Sequence, residues 1–121
     1  MSRTPFICGN WKLHKNIAES LELAKGVADG TKGLDGVEVG VAPVFTNIYA
    51  VTQALGDTHL RVGAQNCWYE LSGAWTGELS PPMLKDVGCD FIIVGHSERR
   101  QFFGETDEGV NKKTKAVLDA V

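Results

Sequence analysis

The sequence lacks the features of membrane, exported and nucleic-acid-binding proteins. None of its apolar runs approaches the roughly 18 residues of a membrane span. The apolar stretch near the N-terminus breaks at Gly9 and Asn10, too early for a signal peptide. Twelve basic residues stand against fifteen acidic ones, a net charge of −3. This balance argues against nucleic acid and against a basic membrane-binding patch, because both need an excess of Lys and Arg.

Motifs for metals, disulfides and nucleotide cofactors are also missing. The three cysteines, Cys8, Cys67 and Cys89, form no Cys-x-x-Cys pair, and the three histidines have no metal-ligand spacing. No two glycines have the Gly-x-Gly spacing of a dinucleotide-binding loop. We therefore expect no metal and no cofactor. An odd number of cysteines without an export signal indicates reduced thiols, and hence a cytoplasmic protein.

What remains is typical of one small domain, with 121 residues of which 43% are hydrophobic and 22% charged. Short apolar runs bounded by turn residues predict four strands. These strands cover residues 5–11, 37–41, 60–64 and 89–94. Apolar residues at helical spacing, with capping residues, predict helices over 16–29, 46–55, 80–88 and 106–121. In the last of these helices, Lys112, Lys113 and Lys115 are predicted to lie on faces away from the apolar residues.

Strict alternation of strands and helices predicts a parallel sheet with right-handed crossovers. The strand starts recur at intervals of roughly 23–32 residues, which matches the repeat of about 30 residues in an eight-stranded βα barrel. A flavodoxin-like open sheet is the alternative, although it usually has a fifth strand. Residues 91–94 are apolar throughout, which predicts a strand buried on both faces. Because four units leave two open sheet edges, we expect a fragment or a chain that completes its sheet by association.

Polar residues follow three of the predicted strands, where parallel α/β folds bind their ligands. They are Asn10 and Lys12, then Gln65 and Asn66, then His96, Ser97 and Glu98. A helix N-terminus after residue 95 would favour an uncharged imidazole at His96, which can donate a hydrogen bond to an oxyanion. Lys12 is a candidate anchor for an anionic substrate. The alternatives are a capping histidine and a surface lysine, and Glu98 is either a base or, more simply, the partner of a cation.

Five strings occur in order along the chain: GNWK at 9–12, VAP at 41–43, GAQN at 63–66, GAWTGE at 73–78 and IVGHSERR at 93–100. Together they make the chain resemble the triosephosphate isomerases along essentially its whole length. The resemblance ends before the fifth strand of that family. It implies an α/β fold in which residues 1–121 form four βα units of a TIM (β/α)8 barrel, a half-barrel with parallel strands.

This resemblance implies an activity and roles for named residues. The family interconverts dihydroxyacetone phosphate and glyceraldehyde 3-phosphate in glycolysis and gluconeogenesis. It is itself the type case of a neutral catalytic histidine at a helix N-terminus, which would be His96 here. The resemblance further implies that Lys12 stabilises the enediolate and the phosphate, and that Asn10 positions substrate and Lys12. Ser97 and Glu98 would be supporting residues.

The resemblance also implies a homo-oligomer. In the family, the loop that matches residues 73–78 enters a pocket of a second subunit near its first βα loop. The implied interface residues are His14, Lys15, Trp75, Thr76, Gly77 and Glu78. Open sheet edges offer a second route to self-association.

The family's base glutamate, its lid and its later phosphate-binding loops follow strands six to eight, beyond these residues. A general base alone is worth about 10²–10⁴-fold in rate. We therefore expect the 121 residues by themselves to be inactive. The alternative is a self-associating half-barrel without catalysis.

Overall fold

The computed structural model describes residues 2–120 and contains one four-stranded sheet with five helices in that range. The strands are β1 (Phe6–Asn10), β2 (Glu38–Ala42), β3 (Arg61–Ala64) and β4 (Phe91–Ile92). The helices are α1 (Ile17–Gly30), α2 (Phe45–Leu55), α3 (Pro81–Asp86), α4 (Ser97–Phe102) and α5 (Asp107–Ala120). Residue 121 of the last predicted helix lies outside the described residues. Within the described range, no helix is both long enough and apolar enough to span a membrane.

The four strands pair in sequence order, and every pair is parallel. The register sets Cys8 opposite Gly40, Val41 opposite Val62, and Gly63 opposite Phe91. This arrangement confirms the predicted alternation of parallel strands with helices. Because all strands run in one direction, their C-terminal ends, and the loops that follow them, lie at the same edge of the sheet.

The fourth strand is shorter than predicted and is not buried on both faces. Regular pairing covers only Phe91 and Ile92, although Asp90 and Ile93 also donate backbone hydrogen bonds to β3, at 2.7 and 2.9 Å. Both strand residues are only half-buried, because among residues 2–120 β4 is an edge strand. The prediction of two buried faces is therefore wrong for the chain as described.

The core lies between one face of the sheet and helices α1 to α3. Ile48, Val51 and Leu55 recur at helical spacing on α2 and pack against Val41 and Val62 of the sheet. Ala24 and Ala28 add small side chains from α1, and Leu84 adds a large one from α3. A side-chain oxygen caps two of these helices: Asn16 accepts from Glu19 N at α1, and Ser80 from Met83 N at α3.

The opposite face of the sheet has a glycine within each of its two middle strands. Gly40 and Gly63 occupy the positions that alternate with the buried Val41 and Val62. The rings of Phe6 and Phe91 lie over these glycines, in edge-to-face contact with centroids 5.0 Å apart. A Cβ atom at Gly40 would come within 2.7 Å of Phe6, and one at Gly63 within 2.5 Å of Phe91. Phe6 remains 40% exposed, so this inner face is accessible.

All three cysteines are free, in agreement with the sequence prediction of reduced thiols. Burial raises the pKa of Cys67 to about 11 and that of Cys89 to about 12. Desolvation also raises the pKa of the half-buried Cys8. The thiols are therefore protonated at neutral pH and poorly nucleophilic.

A buried ionic cluster joins α4, α5 and the loop after β3. The Glu105 carboxylate accepts hydrogen bonds from Gly95 N at 3.1 Å, from Arg99 Nε at 3.0 Å and from Lys113 Nζ at 2.9 Å. Lys113 also donates to Asn66 Oδ1 at 2.9 Å and is only 3% exposed. Burial tends to raise the pKa of Glu105, but Lys113 and Arg99 outweigh it and the pKa lies below its usual value.

The burial of Lys113 corrects a sequence expectation. The sequence grouped this residue with Lys112 and Lys115 on faces of the last helix away from its apolar residues. Lys113 instead lies on the inward face, three residues after Val110 and four before Val117. The 3.6-residue period of the helix places Lys113 on the inward face, but a charged side chain is not expected there from the sequence alone.

Replacement of Glu105 by Gln tests the cluster. The change leaves the buried Lys113 ammonium without its carboxylate, so we expect the free energy of unfolding at pH 7 to fall by about 3 kcal/mol. Urea unfolding of the 121-residue chain measures it. Glu108→Gln is the matched control, because it removes only an exposed pair with Lys112 at 3.4 Å and should cost about 0.5 kcal/mol or less.

The difference in the free energy of unfolding between the parent chain and Glu105→Gln depends on pH. The pKa of Glu105 is lower in the folded than in the unfolded chain, so its contribution is complete above about pH 4.3, the ordinary Glu value. This contribution is lost as the pH falls through the pKa of Glu105 in the folded chain. The difference in the free energy of unfolding between the parent and Glu105→Gln should therefore narrow in that pH range. A difference that persists unchanged in acid would contradict this assignment.

Candidate active site

Lys12 follows β1 in a loop with an uncommon backbone conformation. Its φ is +55° and that of Lys15 is +79°, in the left-handed region that non-glycine residues rarely adopt. Asn10 Oδ1 accepts a hydrogen bond from Lys12 N at 2.9 Å. Gln65 Nε2 donates to the carbonyls of Lys12 and Ala42, at 3.0 and 2.8 Å. Side chains at the ends of β1 and β3 therefore hold the backbone of Lys12.

His96 lies at the N-terminus of α4, where the sequence predicted that a helix begins, and it caps this helix, a role that the sequence offered only as the alternative. Gly95, with φ +71°, makes the turn that precedes it. The His96 Nδ1 atom accepts a hydrogen bond from Glu98 N at 3.0 Å. A neutral imidazole that accepts at Nδ1 carries its proton on Nε2. The ring is therefore arranged to donate a hydrogen bond from Nε2.

Glu98 forms an ion pair with Lys12, which was one of the pairings that the sequence left open. Lys12 Nζ and Glu98 Oε1 are 2.6 Å apart, and both side chains are about half exposed. The hydrogen bond from Lys12, together with the charge of Lys12, lowers the pKa of Glu98 despite some desolvation. Glu98 is therefore ionised near neutral pH and fixes the direction of the lysine side chain.

These side chains meet at a cavity of about 430 Å³ at the C-terminal edge of the sheet. Its polar lining consists of Asn10, Lys12, Gln65, Asn66, His96, Glu98 and Arg99, and its apolar lining is mainly Leu13, Phe45, Phe102 and Phe103. The cavity thus offers an ammonium group, an imidazole and several amides to one ligand. Such a set can bind an anion and stabilise an oxygen that gains negative charge.

The structure does not bring every predicted site residue to the cavity. Asn10, Lys12, His96 and Glu98 line it, but Ser97 is exposed and does not. Gln65 was noted in the sequence only as a polar residue after a strand. Its position after a strand was the only indication in the sequence. The two hydrogen bonds from Gln65 to main-chain carbonyls depend on how β1, β2 and β3 lie side by side.

The residues implied for a subunit interface are exposed in the structure. His14 and Lys15 lie in the loop after β1, and residues 76–78 lie in a loop between β3 and α3. Trp75 is 45% exposed and packs on Trp68, with ring centroids 5.0 Å apart. Among residues 2–120, no group of three His, Cys, Asp or Glu side chains lies close enough to hold a metal ion.

Comparison with known proteins identifies relatives along nearly the whole chain. The sequence model of one protein family, "Triosephosphate isomerase", matches residues 5–121. The triosephosphate isomerase of Pelobacter propionicus is 54% identical over 116 residues, 96% of this chain and 46% of that protein. The Streptococcus gordonii enzyme is 50% identical over 118 residues, 98% of this chain and 47% of that protein.

A solved structure shows the same fold. The crystal structure of triosephosphate isomerase from Bartonella henselae superimposes with a TM-score of 0.91 at 36% identity, over 98% of this chain and 48% of that chain. The chain therefore spans about half the length of the relatives that it matches, and its four βα units match part of a TIM barrel, as predicted. On the combined evidence of sequence and fold, this chain belongs to the triosephosphate isomerase family.

Proposed function

We propose that this chain supplies the N-terminal half of a site that interconverts dihydroxyacetone phosphate and glyceraldehyde 3-phosphate. The observation that carries the proposal is the meeting of the Lys12 ammonium group and the His96 imidazole at one cavity. The isomerisation moves a proton between adjacent carbons through an enediolate, whose oxygen gains negative charge. Groups that stabilise such a charge lower the barrier most when they are already in place.

Each of the two groups has a role that its environment supports. His96 can donate from Nε2 to the substrate oxygens, because Glu98 N occupies Nδ1. Lys12 supplies a fixed positive charge for the enediolate and the phosphate, because Glu98 and the loop backbone restrict its position. Asn10 holds the amide of Lys12 and lines the same cavity, so it positions both lysine and substrate.

Glu98 is a poor candidate for the base that removes the substrate proton. A general base works best when its pKa lies near the operating pH, whereas Lys12 lowers the pKa of Glu98. By resemblance to the family, the base is a glutamate that follows the sixth strand. We therefore propose that residues outside the 121 described by this sequence supply it, together with the later phosphate-binding loops.

Homo-oligomer formation is the second part of the proposal. His14, Lys15 and residues 76–78 are exposed, so the surfaces that the family resemblance implies are accessible. A cytoplasmic location is supported by the three free cysteines, since a reducing compartment keeps such thiols unpaired.

A self-associating half-barrel is the alternative, and one observation favours it. In residues 2–120 β1 and β4 each pair on one side only, and Ile7 of β1 is 63% exposed. Two copies could pair their open edges into eight strands, with two His96 residues and no base from a sixth strand. In that form the chain would be a structural unit without turnover.

A chimera provides the direct test of the catalytic role. Residues 5–121 would replace the matched segment of the Pelobacter propionicus enzyme, and isomerisation would be followed in a coupled assay. We expect an active chimera whose kcat falls by about 10²–10³-fold on His96→Gln, because the amide of Gln lacks the Nδ1 atom through which Glu98 N holds the donor in place for the oxyanion. His59→Gln is the control, since His59 contacts Thr31 far from the cavity. Equal effects of the two changes would overturn the proposal.

The 121-residue chain alone should show no isomerisation above that of the same chain with His96→Gln. The reason is the missing base, worth about 10²–10⁴-fold. Turnover that His96→Gln abolishes would show that Glu98 or a second copy acts as base. Sedimentation of the same sample tests the half-barrel, because a monomer contradicts it, whereas a dimer agrees both with pairing of the sheet edges and with the interface of residues 73–78.

Lys12→Ala should separate activity from stability. The side chain is half exposed, so we expect the free energy of unfolding to change by about 0.5 kcal/mol, as for ordinary surface substitutions. In the chimera, kcat/KM should fall steeply. A loss of more than about 2 kcal/mol of stability would instead show that Lys12 is structural.

A further inference from the structure

We propose that Asn47, which does not line the cavity, is a positioning residue for Lys12. Asn47 lies in the first turn of α2, in the second βα unit. It acts by fixing the loop of residues 12–16, which joins β1 to α1 and carries Lys12 at its start. The inference rests on the proposed function, because the position of Lys12 matters to turnover only if the lysine acts on substrate.

The Asn47 carboxamide is almost completely buried, and both its nitrogen and its oxygen form hydrogen bonds. The residue is 3% exposed. Its Nδ2 atom donates to the carbonyl of Lys15 at 2.8 Å and to Ser20 Oγ at 3.0 Å, and its Oδ1 atom accepts from Thr46 Oγ1 at 3.2 Å. The bond to Lys15 is partly buried, and through it the buried Asn47 amide holds the carbonyl of a residue whose side chain is exposed.

The loop needs such support because its backbone is unfavourable at two positions. Lys12 and Lys15 both have left-handed φ angles, +55° and +79°. Side chains with a Cβ atom disfavour this region, so surrounding contacts must hold each residue there. Gln65 Nε2 holds the carbonyl of Lys12, and Asn47 Nδ2 holds the carbonyl of Lys15. One side-chain amide therefore secures each strained residue.

The rest of the loop transmits the position of Lys15 to Lys12. Asn16 caps α1 through a reciprocal pair with Glu19, at 2.9 and 3.1 Å, so the segment after Lys15 is fixed to the helix. Asn10 fixes the amide of Lys12 at the other end. Only Lys12 to Lys15 lies between these two anchors. If the Lys15 carbonyl is released, this short segment can relax toward ordinary φ angles and carry the Lys12 side chain away from Glu98.

The experiment compares two buried polar residues of the same helix. Asn47→Leu keeps the approximate size of the side chain and removes its donor. Thr52→Val is the matched control, because Thr52 is also buried on α2 and donates to the carbonyl of Val87 at 2.6 Å, away from the loop. Both changes are made in the chimera and in the 121-residue chain. Urea unfolding measures the free energy of unfolding of each protein, so that a general loss of stability can be separated from a change in the loop.

Two readouts separate positioning from general stability. The first is amide hydrogen exchange of residues 12–19, which reports local opening of the loop. We expect about tenfold faster exchange there in Asn47→Leu and no selective change in Thr52→Val. The second is kcat/KM of the chimera, which we expect to fall about tenfold or more for Asn47→Leu and to remain near the parent value for Thr52→Val, because small displacements of a positioned group are costly.

The outcomes distinguish this inference from the proposed function. An inactive parent chimera, or one insensitive to His96→Gln, overturns the proposed function, whereas the exchange measurement still decides whether Asn47 holds the loop. Loop exchange and kcat/KM that match those of Thr52→Val would overturn the positioning role. Asn47→Ser is the second variant if the leucine is not accommodated, and the same two readouts and the same control decide its result.

Discussion

The left-handed backbone of Lys12 is the constraint on which the candidate site depends. A lysine in an ordinary conformation at this position would direct its side chain elsewhere, and the strained form persists only because Asn10 and Gln65 hold its amide and carbonyl. Gln65 can do so because the parallel register places the end of β3 beside β2 and the loop after β1. The pairing of the strands is therefore what positions Lys12 at the candidate site.

Charge is distributed in two clusters with different surroundings. At the cavity, Lys12 and Glu98 pair while half exposed, which leaves the lysine able to exchange its partner for a substrate. Behind α4, the nearly buried Glu105 side chain pairs with both Lys113 and Arg99. Because Glu105 also accepts from Gly95 N, the buried cluster fixes the turn that presents His96. The buried ion pairs of Glu105 thus support the part of the cavity that holds the exposed pair of Lys12 and Glu98.

The sequence predicted the fold more completely than the contacts of the site. Hydrophobic periodicity predicted the parallel alternation, and the residues that follow Gly95 predicted that a helix begins there, because both signals are local. The roles of Gln65 and Lys113 were not predicted, since each depends on partners distant in sequence, such as Lys12 for Gln65 and Asn66 for Lys113. The short β4 and its half-exposed faces also depend on what packs beside the strand, which local pattern does not report.

The phenylalanine pair on the inner face has a consequence for the shape of the sheet. Four flat strands would place the first and fourth roughly 14 Å apart, yet the rings of Phe6 on β1 and Phe91 on β4 are in contact at 5.0 Å. The two side chains lean toward each other over Gly40 and Gly63 and span most of this distance, and a bend of the sheet toward its inner side, as in the matched part of the TIM barrel, brings the rings into contact. The curvature of the arc is therefore built into these four strands, so that any further strand joins an arc that is already bent.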